Sequence, residues 1–335
     1  PAPAPAPLEV PAAGTSCNAA QVEAPPDFCG KDPRTSCIGK WETKRLQTDA
    51  ALKPGLAALR KPGCFPHGIT VSVLGLYRSG STLLYNTARL WMALAANGSM
   101  VGGFGCPEIQ RIGFGKPGKA AEHCSIVCKD HEFKDGADAA RVMLMSRRDP
   151  FHSVCSRRMM DVFCQSGDPP KLPEGGVDWK KTEAMKRQCL AEPELLKVET
   201  VTQCHIMMDM QADIYRRRQS GGKGIAYDMQ LEQYYAQPQE EVRAVGRAIG
   251  VCEEALGNPS LVELIVQMGD ELKRNPNGDA GVTRMHGVHS DEQRKTQCSN
   301  LEEYMRSDAD CARWMDGKGS PTANARLQGV VAAAP

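Results

Sequence analysis

The sequence predicts an α/β protein, because short β-branched apolar runs repeatedly feed helices through tight polar loops. Residues 71–92, VSVLGLYRSGSTLLYNTARLWM, read as strand, loop and helix. Residues 141–160 repeat that order, and residues 225–251 join a strand to a helix that opens at Pro238. Alternation of this kind builds a parallel sheet covered by helices. The chain of 335 residues is long enough for one large α/β domain or two small ones. Aromatics make up only 5%, so the core leans on Leu, Val, Ile, Ala and the 15 Met.

The stretch 71–92 organises the rest. Val71, Val73, Leu74 and Leu76 form a buried-strand run. Tyr77-Arg78-Ser79-Gly80-Ser81-Thr82 is small and polar, and Leu83, Leu84, Thr87, Ala88, Leu90, Trp91 and Ala95 then recur at helical spacing. A loop between strand and helix aims backbone N–H groups at one spot, and the helix dipole adds positive charge there. Arg78 adds a guanidinium whose fork suits phosphate or sulfate. An ordinary strand–turn–helix corner would show the same pattern. It is not a Walker A loop: Gly75 and Gly80 have the glycine spacing, but Ser81-Thr82 replaces the Lys-[Ser/Thr] pair.

The remaining segments follow in order. Residues 1–26 are a Pro/Ala-rich arm, expected to be disordered or polyproline-like. Residues 27–66 form a Cys-containing extension with a helix around 43–60, and residues 67–316 form the main domain. Residues 98–118 are Gly-rich without a clear period and read as a mobile loop. In residues 124–133, Ile126-Val127-Cys128 reads as a strand with Lys129-Asp130-His131-Glu132 at its C-terminal end, where parallel sheets collect ligands. A strand ending in a charged turn is the plainer alternative. Val142–Met145 is a strand broken by Arg148-Asp149-Pro150, and a helix follows. Residues 163–201 read as an insert interrupted by Pro193, and 201–218 as a Met-containing helix stopped by Gly221-Gly222-Lys223-Gly224. A strand at 225–227 precedes the Pro238 helix. Residues 275–290 are a polar loop carrying Arg284, His286 and His289; residues 291–314 are helical, and 317–335 a flexible tail.

Four of these stretches, in this order, resemble sulfotransferases that use 3′-phosphoadenosine 5′-phosphosulfate (PAPS). Residues 77–82 are similar to the family's phosphosulfate loop, P-[KR]-S-G-[ST]-T, with Tyr77 in place of Pro. Lys129-Asp130-His131 resembles the K-T-H segment, with Asp130 for Thr. Arg148-Asp149-Pro150, with Ser156 eight residues after the Arg, resembles the 3′-phosphate site R-[ND]-P-x-D-x-x-x-S. His152 stands where that pattern commonly has Asp. Tyr227-Asp228, Pro238 and Ile249-Gly250 resemble the family's Y-E-D-L strand, following helix and closing L-G.

The resemblance implies a three-layer α/β sandwich with a central parallel sheet, of P-loop NTPase-like sulfotransferase type. It implies PAPS as co-substrate and no metal. Cofactor contacts fall on Arg78, Ser79, Gly80, Ser81, Thr82, Arg148 and Ser156, with Tyr227 at the adenine and Arg284 over the 3′-phosphate. His131 is implied as the base, with Glu132 as the alternative, and Lys129 and Arg78 as the charges on the transferring group. A free imidazole titrates near about 6.5, which suits removal of a hydroxyl proton at neutral pH. The insert 163–201 is implied to build the acceptor side, for a small-molecule or carbohydrate hydroxyl, an amine or a protein tyrosine.

Charge balance, 41 Lys+Arg against 40 Asp+Glu, gives no case for nucleic acid or an anionic membrane. No apolar run reaches the roughly 18–20 residues of a membrane span. The chain begins at Pro1 and is read as processed or trimmed. Of its 14 Cys, Cys17, Cys29 and Cys37 form one group and Cys164, Cys189 and Cys204 another, which slightly favours disulfides and a secretory or Golgi lumen over the cytoplasm. Paired CxxC zinc spacing is absent. Two other classes stay open: a catalytically idle sulfotransferase-like scaffold, and a P-loop nucleotide phosphotransferase that would need ATP and Mg²⁺.

Overall fold

The computed structural model describes residues 49–66, 68–95, 100–104, 125–131, 140–159, 164, 172–173, 178–220, 225–274 and 297–317. Among them the chain forms five strands and eleven helices. The strands are β1 (Thr70–Gly75), β2 (Met100–Phe104), β3 (Ser125–Asp130), β4 (Val142–Arg147) and β5 (Tyr227–Gln230). They make one sheet in the order β2-β3-β1-β4-β5. β1 and β3 pair in parallel with Val73 opposite Lys129, and β2 and β3 pair in parallel with Gly102 opposite Val127. The start of β4 joins the start of β1 through Arg141 N–H to Thr70 O, and the start of β5 joins that of β4 through Ala226 N–H to Met143 O. Start meets start, so these neighbours run parallel too.

The chain divides into two compact units. The first holds Pro1–Leu74, Ser81–Ser146 and Lys223–Met285; the second holds Gly75–Gly80, Arg147–Gly222 and His286–Pro335. The helices of the first are α1 (Leu52–Leu59), α2 (Ser81–Ala95), α6 (Leu231–Ala236), α7 (Pro238–Ala248), α8 (Glu253–Leu256) and α9 (Pro259–Arg274). Those of the second are α3 (Pro150–Met159), α4 (Trp179–Ala191), α5 (Pro193–Ser220), α10 (Leu301–Arg306) and α11 (Ala309–Met315).

The first unit's core is the apolar face of β1 with α1, α2, α7 and α9: Val71, Val73, Leu84, Trp91, Val242, Leu261 and Ile265 are all buried. Trp91 Nε1 donates to Val242 O at 2.9 Å, so the one polar atom of that indole is satisfied inside the core. α7 begins with Pro238 at its first turn and Glu240 and Glu241 behind it, and ends beside Gly250 at φ 88°. In the second unit Val154, Leu196, Met207, Ile214, Leu301, Met305 and Trp314 are buried.

Covalent links complete both units. Cys64–Cys252 closes the first, and Cys155–Cys298, Cys164–Cys189 and Cys204–Cys311 close the second. Cys128 is also disulfide-bonded, and no cysteine is free among the described residues. Such bridges are compatible with an oxidising compartment. No described helix is long and apolar enough to cross a membrane.

Several sequence expectations change. Part of the stretch expected to be a mobile loop, 98–118, is β2, an edge strand. Gly102 and Gly103 remove the alternating side chains that mark a strand, so its pairing with β3 left no periodic signal. The strand expected at 225–227 starts instead at Tyr227, and α5 begins at Pro193 rather than near 201. Cys204 pairs with Cys311, not within its own cluster. The arm 1–26, residues 27–48, Cys17, Cys29, Cys37, Glu132, Gly221-Gly222-Lys223-Gly224, the loop 275–290 with Arg284, and residues 318–335 lie outside the described residues.

Candidate functional site

In the second unit, Leu76, Tyr77, Arg78 and Ser79 make a tight turn. The Ser79 N–H donates to Leu76 O at 3.2 Å, and the Ser79 hydroxyl donates to the same oxygen at 2.8 Å. Arg78, the third residue, has φ 68°. A bond from the fourth residue to the first, with positive φ at the third, is the pattern of a type II turn, which favours Pro second and Gly third. Here Tyr77 and Arg78 fill those places. Gly80 follows at φ 89°, a conformation only glycine adopts cheaply. Ser79 therefore spends its side chain on the loop's own shape.

A second stretch meets this turn. Asp149 Oδ1 accepts from the His152 N–H at 3.0 Å, and Pro150 sits in the first turn of α3. Asp149 and Pro150 thus start the helix, a capping role that explains two letters of the Arg-Asp-Pro sequence without a ligand. The third letter reaches out: an Arg148 terminal nitrogen donates to Arg78 O at 3.3 Å. Arg78 Nε donates to the buried Ser156 Oγ at 3.0 Å. Arg78, Arg148 and Ser156, separated by as many as 78 residues, form one hydrogen-bonded group. Next to this contact, the guanidinium of Arg157, which follows Ser156, lies 4.6 Å from the centre of the ring of Tyr77, which precedes Arg78. Burial pulls the Arg157 guanidinium below its ordinary value, opposed by Tyr77 and Glu199; burial also lowers Arg158, opposed by Tyr304.

In the first unit, Lys129 lies near the C-terminal end of β3 and is 5% exposed. Its ammonium donates to Thr82 Oγ1 at 2.8 Å, at the start of α2. A buried Lys needs such partners, since an uncompensated buried charge is costly. Ser81 is buried beside Thr82 in the first turn of the helix. His131 follows β3 directly and is partly buried. Tyr227, which opens β5, donates its hydroxyl to Glu241 on α7. Burial, and then the Glu241 hydrogen bond, push the phenol well above its ordinary value. Its hydroxyl is committed to the fold.

Six of the predicted residues therefore fall into three described groups, Arg78 with Arg148 and Ser156, Lys129 with Thr82, and Tyr227 with Glu241, while Ser79, Gly80, Ser81 and His131 join none of them. Sequence reasoning missed two partners. Glu241, on α7, is 3% exposed and accepts from Tyr227. Arg157 is the other, and the cue that it meets Tyr77 is its place beside Ser156. His205 Nε2 and Asp308 Oδ1, 3.2 Å apart, approach Cys311 closely, but Cys311 is held in its disulfide. No family model, curated protein or solved structure matches this chain.

Proposed function

We propose that the chain is a sulfotransferase that moves the sulfuryl group of PAPS to a hydroxyl or amine of a small-molecule or carbohydrate acceptor. The observation that carries this reading is the Arg78–Ser156–Arg148 group. Two segments chosen for their resemblance to the loop and to the 3′-phosphate corner meet through the residues that the resemblance names. The parallel α/β sheet supports a three-layer sandwich of the P-loop-like sulfotransferase type. The disulfides support a secretory or Golgi lumen.

In this reading the loop amides, Ser81, Thr82, Arg78 and Lys129 hold the phosphosulfate, and Arg148, Ser156 and Arg284 hold the 3′-phosphate. Tyr227 lays its ring against the adenine. His131 takes the proton of the acceptor, whose oxygen or nitrogen bonds to sulfur while the bond from sulfur to the 5′-phosphate oxygen breaks. The leaving group is 3′-phosphoadenosine 5′-phosphate (PAP). Lys129 and Arg78 offset the charge that builds on the sulfuryl and phosphate oxygens, which is commonly the largest catalytic contribution. The reading calls for no metal.

The test is PAPS turnover over a panel of alcohol, phenol, sugar and amine acceptors. His131→Ala should lower turnover by about 100-fold or more. Turnover with ATP and Mg²⁺ but not with PAPS would replace this reading with phosphoryl transfer.

A further inference from the structure

Tyr77 and Arg157 stand outside everything assigned so far, yet they occupy a defined place. The loop and α3 touch at two successive rungs: Arg78 with Ser156, and Tyr77 with Arg157. The turn wants a rigid second residue, commonly Pro, and Tyr77 stands there instead. A guanidinium stacked on its ring restrains that residue from outside, through cation–π attraction that strengthens where water is excluded.

The stack also restrains the Arg157 guanidinium. Its Nε is buried with no hydrogen-bond partner among the described residues. Glu199 attracts the guanidinium through space, but its Oε1 accepts from the Cys164 N–H at 3.0 Å and from Gln203 Nε2 at 2.6 Å. A partly desolvated guanidinium with a donor left over is suited to a ligand anion, because the bidentate fork matches phosphate and sulfate oxygens.

We propose that Arg157 is a further anion-binding residue of the Arg78–Arg148–Ser156 group, aimed by the Tyr77 ring, and that this pair replaces the loop-entry proline as the device that sets the turn. The ligand is a phosphate or sulfate group. Its identity as part of PAPS rests on the function proposed above; its charge does not.

The test uses the full chain and two probes, PAP and inorganic sulfate, titrated by calorimetry, with circular dichroism confirming the fold of each variant. Arg157→Ala should weaken both probes by about 10-fold or more, the range of a lost charge-assisted hydrogen bond. Arg157→Lys, which keeps the charge but loses the flat fork, should fall between. Tyr77→Phe, which keeps the ring, should lose less than Tyr77→Ala, and Tyr77→Ala should lose most of what Arg157→Ala loses. The double variant should be no worse than Arg157→Ala alone. Folded Arg157→Ala that binds both probes as wild type does would overturn the proposal, as would wild type that binds neither. Sulfate binding that depends on Arg157 without any PAP binding would keep the anion site and remove the PAPS reading.

Discussion

Arg78 provides a direct test of how the loop trades stability for chemistry. It holds φ 68°, and a left-handed conformation costs an L-residue roughly 1–2 kcal/mol. Arg78→Gly removes that cost but adds about 0.4–1 kcal/mol of unfolded-chain freedom. Arg78→Ala keeps the strain. Both variants lose the 3.0 Å bond from Arg78 Nε to Ser156. At a partly exposed site that bond contributes about 1 kcal/mol. Arg78→Ala should therefore fall about 1 kcal/mol below wild type, while Arg78→Gly should stay within about 0.5 kcal/mol of it. Urea denaturation followed by circular dichroism, with slopes held equal, reads the difference. Both variants should lose PAP affinity together. An alanine variant as stable as the glycine variant would show that the turn stores no strain. Unchanged PAP affinity in Arg78→Gly would show that the guanidinium is not there for a ligand.

Two further outcomes follow from the first unit. A Cβ on Gly246 would lie 2.6 Å from Leu256 Cδ2 and 2.9 Å from Trp91 Cε2, so Gly246→Ala should cost about 1–3 kcal/mol, seen as a lowered urea midpoint. Tyr227→Phe leaves the buried Glu241 carboxylate without its phenol donor and should destabilise by about 1–3 kcal/mol at neutral pH. The phenol's proton is held more tightly folded than unfolded, so its contribution is whole below the ordinary phenol value, about 10, and declines as pH rises past it. Stability curves of wild type and Tyr227→Phe should thus converge at alkaline pH; parallel curves would contradict the assigned bond.

Local patterning made much of the fold legible. Val71, Val73 and Leu74 announce β1, the helical recurrence from Leu83 to Ala95 announces α2, and Pro238 announces α7. Each signal lies within one element, where burial and backbone period act on neighbouring residues. β2 was not legible, because Gly102 and Gly103 form strand only through hydrogen bonds to β3. Disulfides separated by 107 to 188 residues, such as Cys204–Cys311 and Cys64–Cys252, leave no local trace either.

The candidate site divides in the same way. Arg78, Arg148 and Ser156 were each visible in a short motif, and their meeting is a product of the fold. Asp149 and Pro150, read from sequence as part of a ligand pattern, also start α3. Tyr77 looked like a mere departure until Arg157 was found on its ring. Sequence shows which residue types are present; tertiary contact decides which atoms remain available to a ligand.

The central claim is that Arg148 and its partners hold a 3′-phosphorylated nucleotide. Calorimetric titration of wild type and Arg148→Ala with PAP, in metal-free buffer, tests it most directly. The account predicts micromolar binding by wild type, weakened about 10-fold or more by the substitution. Folded wild type that takes up no PAP, or an Arg148→Ala variant that binds it equally well, would contradict the account.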